Sequence, residues 1–471
     1  MIVMKFGGTS LESAEALQRV AQIVAARQAE EPFIVVSAMG KTTNELLAMG
    51  AEAAAGLRQD AFARAERLRA YHLREASVAA GAEGRAALEQ ILDQHFSELA
   101  LTLDRIASGG QVSPQLSDEL ASLGERLSSQ IMPLVLRQFA VNAGHIDARS
   151  VIVTEARHTR AAPLFEATNA RIAQAVSYLR SGHVPVMGGF IGATEQGVTT
   201  TLGRGGSDFS AAIVGAAIGA REIQIWTDVD GMMTCDPRLV PGALRIRTLS
   251  FAEAAELAYF GAKVLHPATL LPAMERNIPV LVLNSRRPEG TGTRIVAERV
   301  PGTNAIKCVA CKKEITVVDV RSTRMLMAHG FLQQIFEIFD RYETAVDMLA
   351  TSEVSVSLTI DNAERLEEIC AELRPFAEVS SEADQAIVCV VGDNIRRTPG
   401  VAARVFGALG DVNVRMISQG ASRLNLSFVV AGRDAPTAVR LLHDEFFREA
   451  DAAIFDLGEN CGEPDIAVKR V

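Results

Sequence analysis

The sequence has no long apolar run, no surplus of positive charge and few cysteines for its length. It contains 471 residues, six of them cysteine, with a formal net charge of −10. A negative chain is a poor electrostatic partner for nucleic acid or an anionic membrane. The weakly polar run over residues 209–220 is too short to cross a bilayer, and the N-terminus shows no signal-peptide pattern. We therefore expect a cytoplasmic protein that binds neither nucleic acid nor membrane.

A complete P-loop is also missing. Gly40-Lys41-Thr42 matches the second half of this motif, in which backbone N–H groups wrap around phosphates. The motif needs a glycine five residues before Gly40, but Val35 stands there, inside an apolar run (33–36) that predicts a buried strand. These residues therefore exclude a Walker-type nucleotide site.

The cysteines indicate neither a disulfide framework nor a metal site. They are scattered, and the Cys308–Cys311 pair lacks two further ligands at zinc spacing. The pair precedes a strand-like segment, residues 315–320, whereas a thioredoxin-like motif would open a helix. We interpret both residues as ordinary reduced thiols. The sequence also lacks a GxSxG elbow and a histidine-centred acid/base set.

Strand and helix patterns alternate up to about residue 296. A strand over residues 2–6 leads into an amphipathic helix over 11–30, for which Thr9 and Glu12 match a capping box. Residues 44–108 predict a helical excursion. The alternation predicts an α/β domain over residues 1–296, with a doubly wound, mainly parallel sheet and ligands at the carboxyl ends of its strands.

Beyond residue 296 the pattern becomes β-α-β-β-α and then repeats. Residues 330–339 resemble residues 400–409, which indicates two small α+β units. We assign them to residues 315–385 and 386–471, with the closing segment, 465–471, as a candidate strand that returns to the first unit. Each unit alone leaves a sheet edge uncovered, which favours an oligomer.

Charged residues and glycines stand at several predicted strand ends. Lys5 precedes Gly7-Gly8, where bare backbone N–H groups and a helix start favour a phosphate. Arg204 lies in a glycine-rich turn and suits bidentate capture of a carboxylate. Thr227-Asp228 ends another strand, and Lys263 lies near a helix end. This combination suits a phosphoryl-transfer site.

Over nearly its whole length the chain resembles the aspartate kinases of the amino acid kinase family, and its tandem C-terminal units resemble ACT domains. The motifs that carry the resemblance are KFGGTS (5–10), VVSAMGKTTNELL (35–47), GERLSS (124–129), GFIG (189–192), TLGRGGSDFSA (201–211), WTDVDG (226–231) with DPR (236–238), FGAKVLHPATLLPA (260–273) and TSEVSVSLTID (351–361). The resemblance implies a monofunctional enzyme that uses ATP with Mg²⁺ to phosphorylate the β-carboxylate of L-aspartate. The product, 4-phospho-L-aspartate, would enter lysine, threonine and methionine biosynthesis through the diaminopimelate pathway.

The resemblance also implies roles for individual residues. Arg204 would bind a substrate carboxylate and Glu125 the α-ammonium group, while Met233 stands where many relatives carry a tyrosine near the adenine. The aspartate-binding residues are expected to be Ser37, Thr43, Glu125, Phe190, Arg204, Gly205 and Ser207. The ATP-binding residues are expected to be Lys5, Gly7, Gly8, Thr227, Asp228, Met233, Arg238 and Lys263. The catalytic residues are expected to be Lys5, Asp208 and Lys263.

ACT domains bind amino-acid effectors, so the resemblance implies feedback regulation. Lysine is the favoured effector and threonine the second choice, in a homodimer or tetramer formed through the ACT domains. The effector site is expected to comprise Met325, Gly330, Phe331, Leu332, Val346, Asp347, Thr351, Ser352 and Glu353. Two alternatives stay open, a non-catalytic amino-acid sensor built on ACT domains and a kinase for another small amino acid.

Overall fold

The computed structural model describes residues 1–178, 182–260, 267–298, 306–322 and 330–457. The chain divides into two compact units. The first consists of Met1–Met232, Thr248–Phe251 and Val264–Arg299, and the second of Met233–Arg247, Ala252–Lys263 and Val300–Val471. Each unit is built around its own main sheet.

The described helices and strands follow the predicted alternation. The helices are α1 (Ala14–Ala25), α2 (Thr42–Ala54), α3 (Arg58–Gly109), α4 (Pro114–Arg137), α5 (Ala148–Val151), α6 (Phe165–Tyr178), α7 (Gly206–Ile218), α8 (Phe251–Tyr259), α9 (Leu271–Glu275), α10 (Phe331–Arg341), α11 (Leu366–Leu373), α12 (Val401–Leu409) and α13 (Ala435–Phe447). The strands are β1 (Ile2–Phe6), β2 (Pro32–Val36), β3 (Ala143–Ile146), β4 (Val184–Gly188), β5 (Ile191–Ala193), β6 (Thr199–Thr201), β7 (Ile223–Thr227), β8 (Arg245–Ile246), β9 (Thr248–Ser250), β10 (Val280–Asn284), β11 (Thr293–Val296), β12 (Ile306–Arg321), β13 (Met348–Thr351), β14 (Ser355–Ile360), β15 (Glu378–Gly392), β16 (Met416–Gln419), β17 (Asn425–Ala431) and β18 (Phe455–Asp456).

The main sheet of the first unit has the strand order β3-β4-β2-β1-β7-β10-β11-β9. All neighbouring pairs are parallel except β10 with β11. Strands β1 and β2 are buried at every position, as expected for parallel strands that are covered on both faces. The predicted doubly wound, mainly parallel sheet is confirmed.

The carboxyl ends of the central strands are tied to one another by backbone hydrogen bonds. The N–H of Ser37, just after β2, donates to the carbonyl of Phe6 in β1 at 3.0 Å. The N–H of Gly189, just after β4, donates to the carbonyl of Val36 at 2.8 Å. Residues that follow these three strands therefore meet at one edge of the sheet, where ligands bind in open α/β folds.

Helix α1 begins later than the capping box predicts. Its N-cap is Ser13, whose hydroxyl accepts the N–H of Ala16 at 3.2 Å, while Thr9 lies in a short 3₁₀ turn. The carbonyl of Gly8 in this turn accepts the N–H of Gly40 at 3.0 Å, and a Cβ on Gly8 would lie 2.9 Å from the carbonyl oxygen of Gly40. The capping-box prediction was wrong because the chain uses this turn to bind the loop after β2.

The predicted helical excursion consists of α2 and α3, against which α4 packs. Helix α3 changes direction at Gly81, whose φ of 68° lies in the left-handed region that favours glycine. Leucine and isoleucine side chains from the three helices form a shared apolar core, including Leu46, Ile106 and Leu120. This packing holds α4, which carries the GERLSS motif, in place.

The main sheet of the second unit is antiparallel, in the order β13-β14-β12-β15-β17-β16. The two α+β units share its long central strands. Residues 316–321 of β12 pair with β14, whereas residues 306–312 pair only with residues 387–392 of β15. Residues 306–312, which precede both predicted ACT ranges, thus extend the sheet of the second α+β unit. Residues 465–471 lie outside the described residues, and the domain bounds stay predictions.

Among the described residues, no helix combines the length and the apolar character that crossing a membrane requires.

Candidate active site

A cavity of about 500 Å³ opens in the first unit, next to the carboxyl ends of β1, β2 and β4 and the first turn of α7. Lys5 and Asp208 line it together with all seven residues of the predicted aspartate set. Those seven are Ser37, Thr43, Glu125, Phe190, Arg204, Gly205 and Ser207. The structure therefore brings the predicted set together from four segments of the chain, 37–43, 125, 190 and 204–207. Their contacts with a substrate stay predictions.

The start of α7 packs so closely against Phe190 that Gly206 leaves no room for a side chain. A Cβ on Gly206 would lie 2.6 Å from Cδ2 of the Phe190 ring. Phe190 itself has a φ of 66°, rare for a bulky residue, and its N–H donates to Oγ of Ser210 in α7 at 3.0 Å. The glycine-rich turn before α7 thus allows the helix to hold Phe190 against the cavity, and it leaves the Arg204 side chain exposed at the cavity mouth.

Lys5 and Asp208 form an ion pair at the cavity. Lys5 Nζ lies 2.6 Å from Oδ1 of Asp208, and each side chain is only 11% exposed. Asp208 is in the first turn of α7, where the helix dipole favours a negative charge. The pair fixes the ammonium group of Lys5 close to Gly7, whose Cβ position would be 3.7 Å from Nζ.

Glu125 is a buried carboxyl group that faces the cavity from α4. Burial raises its pKa to about 8, although the N–H of Ala38 and the charge of Lys5 act in the opposite direction. Among the described residues, its Oε2 atom has no hydrogen-bond partner. A buried acceptor without a partner is costly, so this atom is a natural contact for a cationic ligand group.

Asp118 is a cavity residue outside the predicted set. Its buried carboxylate accepts hydrogen bonds from Nδ1 of His158 (2.7 Å), the N–H of Thr159 (3.0 Å) and Oγ1 of Thr201 (2.6 Å). It therefore anchors two chain segments that form the cavity wall beside Arg204. The signal was available, since Asp118 stands two helical turns before Glu125 on the same face of α4.

Five of the predicted ATP residues lie in the first unit. Gly7 and Gly8 follow β1 and Thr227 and Asp228 stand at the end of β7, the strand paired with β1. The N–H of Gly7 donates to the carbonyl of Trp226 at 3.1 Å, which joins the two strand ends. Together with Lys5, these residues form one polar edge of the sheet.

The other three residues predicted to bind ATP are not part of this polar edge of the sheet. Met233 belongs to the second unit, where it forms a β-bridge with Arg245. Arg238 also belongs to that unit, and its guanidinium binds both carboxylate oxygens of Asp236, at 3.0 and 2.7 Å. Lys263 lies outside the described residues. The role of these three residues stays a prediction.

The predicted effector residues lie at the start of α10 and in and around β13, within the first α+β unit. Met325 is the exception, because it lies outside the described residues. Gly330 is the N-cap of α10, with a φ of 87°, and Asp347 directly precedes β13. The remaining described members are Phe331, Leu332, Val346, Thr351, Ser352 and Glu353. Asp347 is the buried carboxylate of the set, only 3% exposed.

The described part of the chain contains no group of three or more histidine, cysteine or acidic side chains that could hold a metal ion. Cys308 and Cys311 both lie on β12, and neither forms a disulfide. Burial raises the pKa of Cys311 to about 11 and that of Cys308 well above its usual range. Both groups are therefore thiols, not reactive thiolates, at neutral pH.

Comparison with known proteins decides the family. The model of the amino acid kinase family matches residues 1–284, and an ACT domain model matches residues 388–446. The chain belongs to the amino acid kinase family. Among curated members of this family, aspartokinase 1, chloroplastic, from Arabidopsis thaliana is 38% identical over 95% of this chain and 80% of its own length. Lysine-sensitive aspartokinase 3 from Escherichia coli is also 38% identical, over 95% of this chain and 99% of its own.

Solved structures of the family agree with this assignment. E. coli aspartokinase III in complex with aspartate and ADP, described as the R-state, matches with a TM-score of 0.82 and 37% identity over 95% of this chain and 100% of its own. The same enzyme with lysine and aspartate, described as the T-state, matches with a TM-score of 0.79 and 38% identity over 95% of this chain and 99% of its own. The predicted family, fold class and aspartokinase activity are thereby confirmed.

Proposed function

We propose that the cavity binds L-aspartate and that Lys5 stabilises the phosphoryl group in transit from ATP to the substrate β-carboxylate. One observation carries the proposal. The buried Oε2 of Glu125, the exposed guanidinium of Arg204 and the Lys5–Asp208 pair all border one cavity. Such a cavity offers an acceptor for an α-ammonium group, a donor for a carboxylate and a cation for a phosphate.

The reaction needs charge neutralisation and positioning, and it needs no general base. The β-carboxylate of aspartate has a pKa of about 3.9 and is already ionised at neutral pH. Its approach to a triphosphate costs roughly 4 kcal/mol for each pair of unit charges ~4 Å apart at an effective dielectric constant of ~20. The ammonium of Lys5 and the N–H of Gly8 offset this repulsion where charge develops. The N–H of Gly7 is already bonded to the carbonyl of Trp226.

The acidic residues of the site fit a magnesium ion that is bound mainly through the nucleotide. Mg²⁺ in kinases typically uses one or two protein carboxylates together with phosphate oxygens. Asp208 is the cavity carboxylate that would hold it, and Asp228 is a second hard oxygen donor at the same sheet edge. When bound, the ion neutralises charge on the phosphates.

The proposal extends to pathway, location and regulation. The acyl phosphate 4-phospho-L-aspartate would start lysine, threonine and methionine synthesis in the cytoplasm. Similarity to a relative named lysine-sensitive and to a structure with bound lysine supports lysine as the effector. A homodimer or tetramer formed through the ACT domains remains part of the proposal.

Trapping the acyl phosphate with hydroxylamine tests the reaction directly. The wild-type protein should form the hydroxamate with aspartate and not with glutamate, and only with ATP and Mg²⁺. Arg204→Lys should raise KM for aspartate at least about tenfold, because a lysine cannot bind a carboxylate in bidentate fashion. Arg137→Lys, at the exposed end of α4, is the matched control. Absence of hydroxamate with aspartate would contradict the proposed reaction and favour the alternative, a non-catalytic amino-acid sensor.

A further inference from the structure

Helix α8 carries three polar side chains, Glu253, Glu256 and Tyr259, at intervals of three residues. This spacing places them along one side of the helix. Residues 252–259 belong to the second unit, whose main sheet is formed by the regulatory half of the chain. Each of the three side chains binds a different part of this sheet.

The first two contacts attach α8 to the sheet. Lys307 on β12 places Nζ 2.9 and 3.0 Å from the two carboxylate oxygens of Glu253, and both side chains are almost fully buried. Glu256 accepts hydrogen bonds from Ser422 and Asn425, both at 2.6 Å. A buried ion pair tolerates little movement, because separating its partners leaves an uncompensated charge. The N-terminal part of α8 therefore moves with the sheet.

The third contact joins α8 to the predicted effector residue Asp347. The hydroxyl of Tyr259 donates to Oδ1 of Asp347 at 3.0 Å. Nζ of Lys312 lies 2.7 Å from the same oxygen and 2.8 Å from Oδ2 of Asp361, and it is 5.3 Å from the centre of the Tyr259 ring. Burial and the nearby carboxylate of Asp347 raise the pKa of Tyr259 to about 12, so the hydroxyl remains a neutral donor.

This cluster has capacity for one more cation. It combines two carboxylates with one ammonium group, which leaves a net charge of −1. The Oδ2 atom of Asp347 is buried and, within the described ranges, has no hydrogen-bond partner. The N–H of Asp347 donates to the carbonyl of Thr359 at 2.8 Å, so the residue is fixed to the edge of the regulatory sheet. An ammonium group at Oδ2 would balance the charge and satisfy this acceptor.

We propose that Tyr259 is a positioning residue that couples binding of an effector ammonium group at Asp347 to helix α8. The inference rests on the lysine-type effector of the proposed function and adds the route by which it acts. An effector shifts an equilibrium only through contacts that differ between two states. The Asp347 carboxylate shared by the effector and Tyr259 is such a contact, and in the sequence α8 ends four residues before Lys263.

Lysine inhibition of three proteins tests this coupling. Tyr259→Phe keeps the ring beside Lys312 and deletes only the hydrogen bond. The control Tyr342→Phe deletes a similar tyrosine–carboxylate bond, to Glu372 at 2.7 Å, elsewhere in the same unit. We expect Tyr259→Phe to raise the half-inhibitory lysine concentration about tenfold, as for loss of a hydrogen bond to a charged group. Turnover and KM without lysine should stay within about twofold of wild type, and the control should match wild type throughout.

A double-mutant comparison separates coupling from general loosening of the unit. Asp347→Asn should weaken inhibition by itself, and adding Tyr259→Phe should weaken it no further, because both act on one contact. Inhibition of Tyr259→Phe that equals wild type, or an equal shift in the Tyr342→Phe control, would overturn the inference while leaving the kinase proposal intact. A wild-type enzyme that forms hydroxamate but that neither lysine nor threonine inhibits would overturn both the effector proposal and this inference.

Discussion

The pKa of Glu125 leads to a quantitative prediction for substrate binding. Burial raises this pKa to about 8, so the unliganded carboxyl group is mostly protonated at neutral pH. Binding an α-ammonium group at Oε2 requires the ionised form, and each pKa unit above the working pH adds about 1.4 kcal/mol to the cost of binding. KM for aspartate should therefore fall by about 25-fold between about pH 6.5 and 8.5 as the carboxyl group ionises.

Glu125→Gln removes both the charge and its titration. The variant should bind aspartate more weakly than wild type above neutral pH, and its KM should no longer depend on pH in this range. Steady-state kinetics by hydroxamate formation, with ATP saturating, measure both effects. Glu119→Gln is the matched control, because Glu119 lies on the same helix and pairs with Arg105 outside the cavity.

Stability provides an independent check with a defined sign. The folded-state pKa of Glu125 lies above its unfolded value, so the stability that it contributes is present at acid pH and is lost as the pH rises through about 8. The unliganded wild-type protein should thus lose more thermal stability between about pH 6 and 8.5 than Glu125→Gln does. A wild-type KM that changes less than about threefold over this range, or a Glu125→Gln variant that keeps the wild-type slope, would exclude ionisation of Glu125 as the control of aspartate binding.

Two further predictions concern the ammonium group of Lys5 and the hydrogen bonds of Asp118 that hold the cavity wall. Lys5→Met should lower kcat by at least about 10²-fold, because it removes a cation close to the phosphoryl group in transit. A kcat near wild type would exclude Lys5 from this role. Asp118→Asn should lower the free energy of unfolding by about 2–3 kcal/mol and raise KM for aspartate, because an amide cannot accept all the hydrogen bonds from His158, Thr159 and Thr201. Thermal denaturation together with kinetics measures both effects, and unchanged stability would contradict the anchoring role.

The local sequence determined much of the fold because its patterns act over short distances. Alternation of apolar strands and amphipathic helices predicted the parallel sheet, since strands covered on both faces are continuously apolar. The valine at position 35 was enough to exclude a P-loop, and the residue types at strand ends indicated phosphoryl transfer. The seven residues predicted to bind aspartate do line one cavity.

Only the tertiary structure decided the contacts that join distant segments. The spacing from Glu125 places Asp118 on the same face of α4, but its partners in residues 158–159 and β6 are set only by tertiary packing. The capping box at Thr9 failed because Gly40, in the loop after β2, binds Gly8. The sequence likewise did not predict that Lys312 and Tyr259 both bind the carboxylate of Asp347, because the three residues are far apart in the chain. Periodicity and residue type fix local structure, whereas the partner of a buried charge depends on which segments folding brings together.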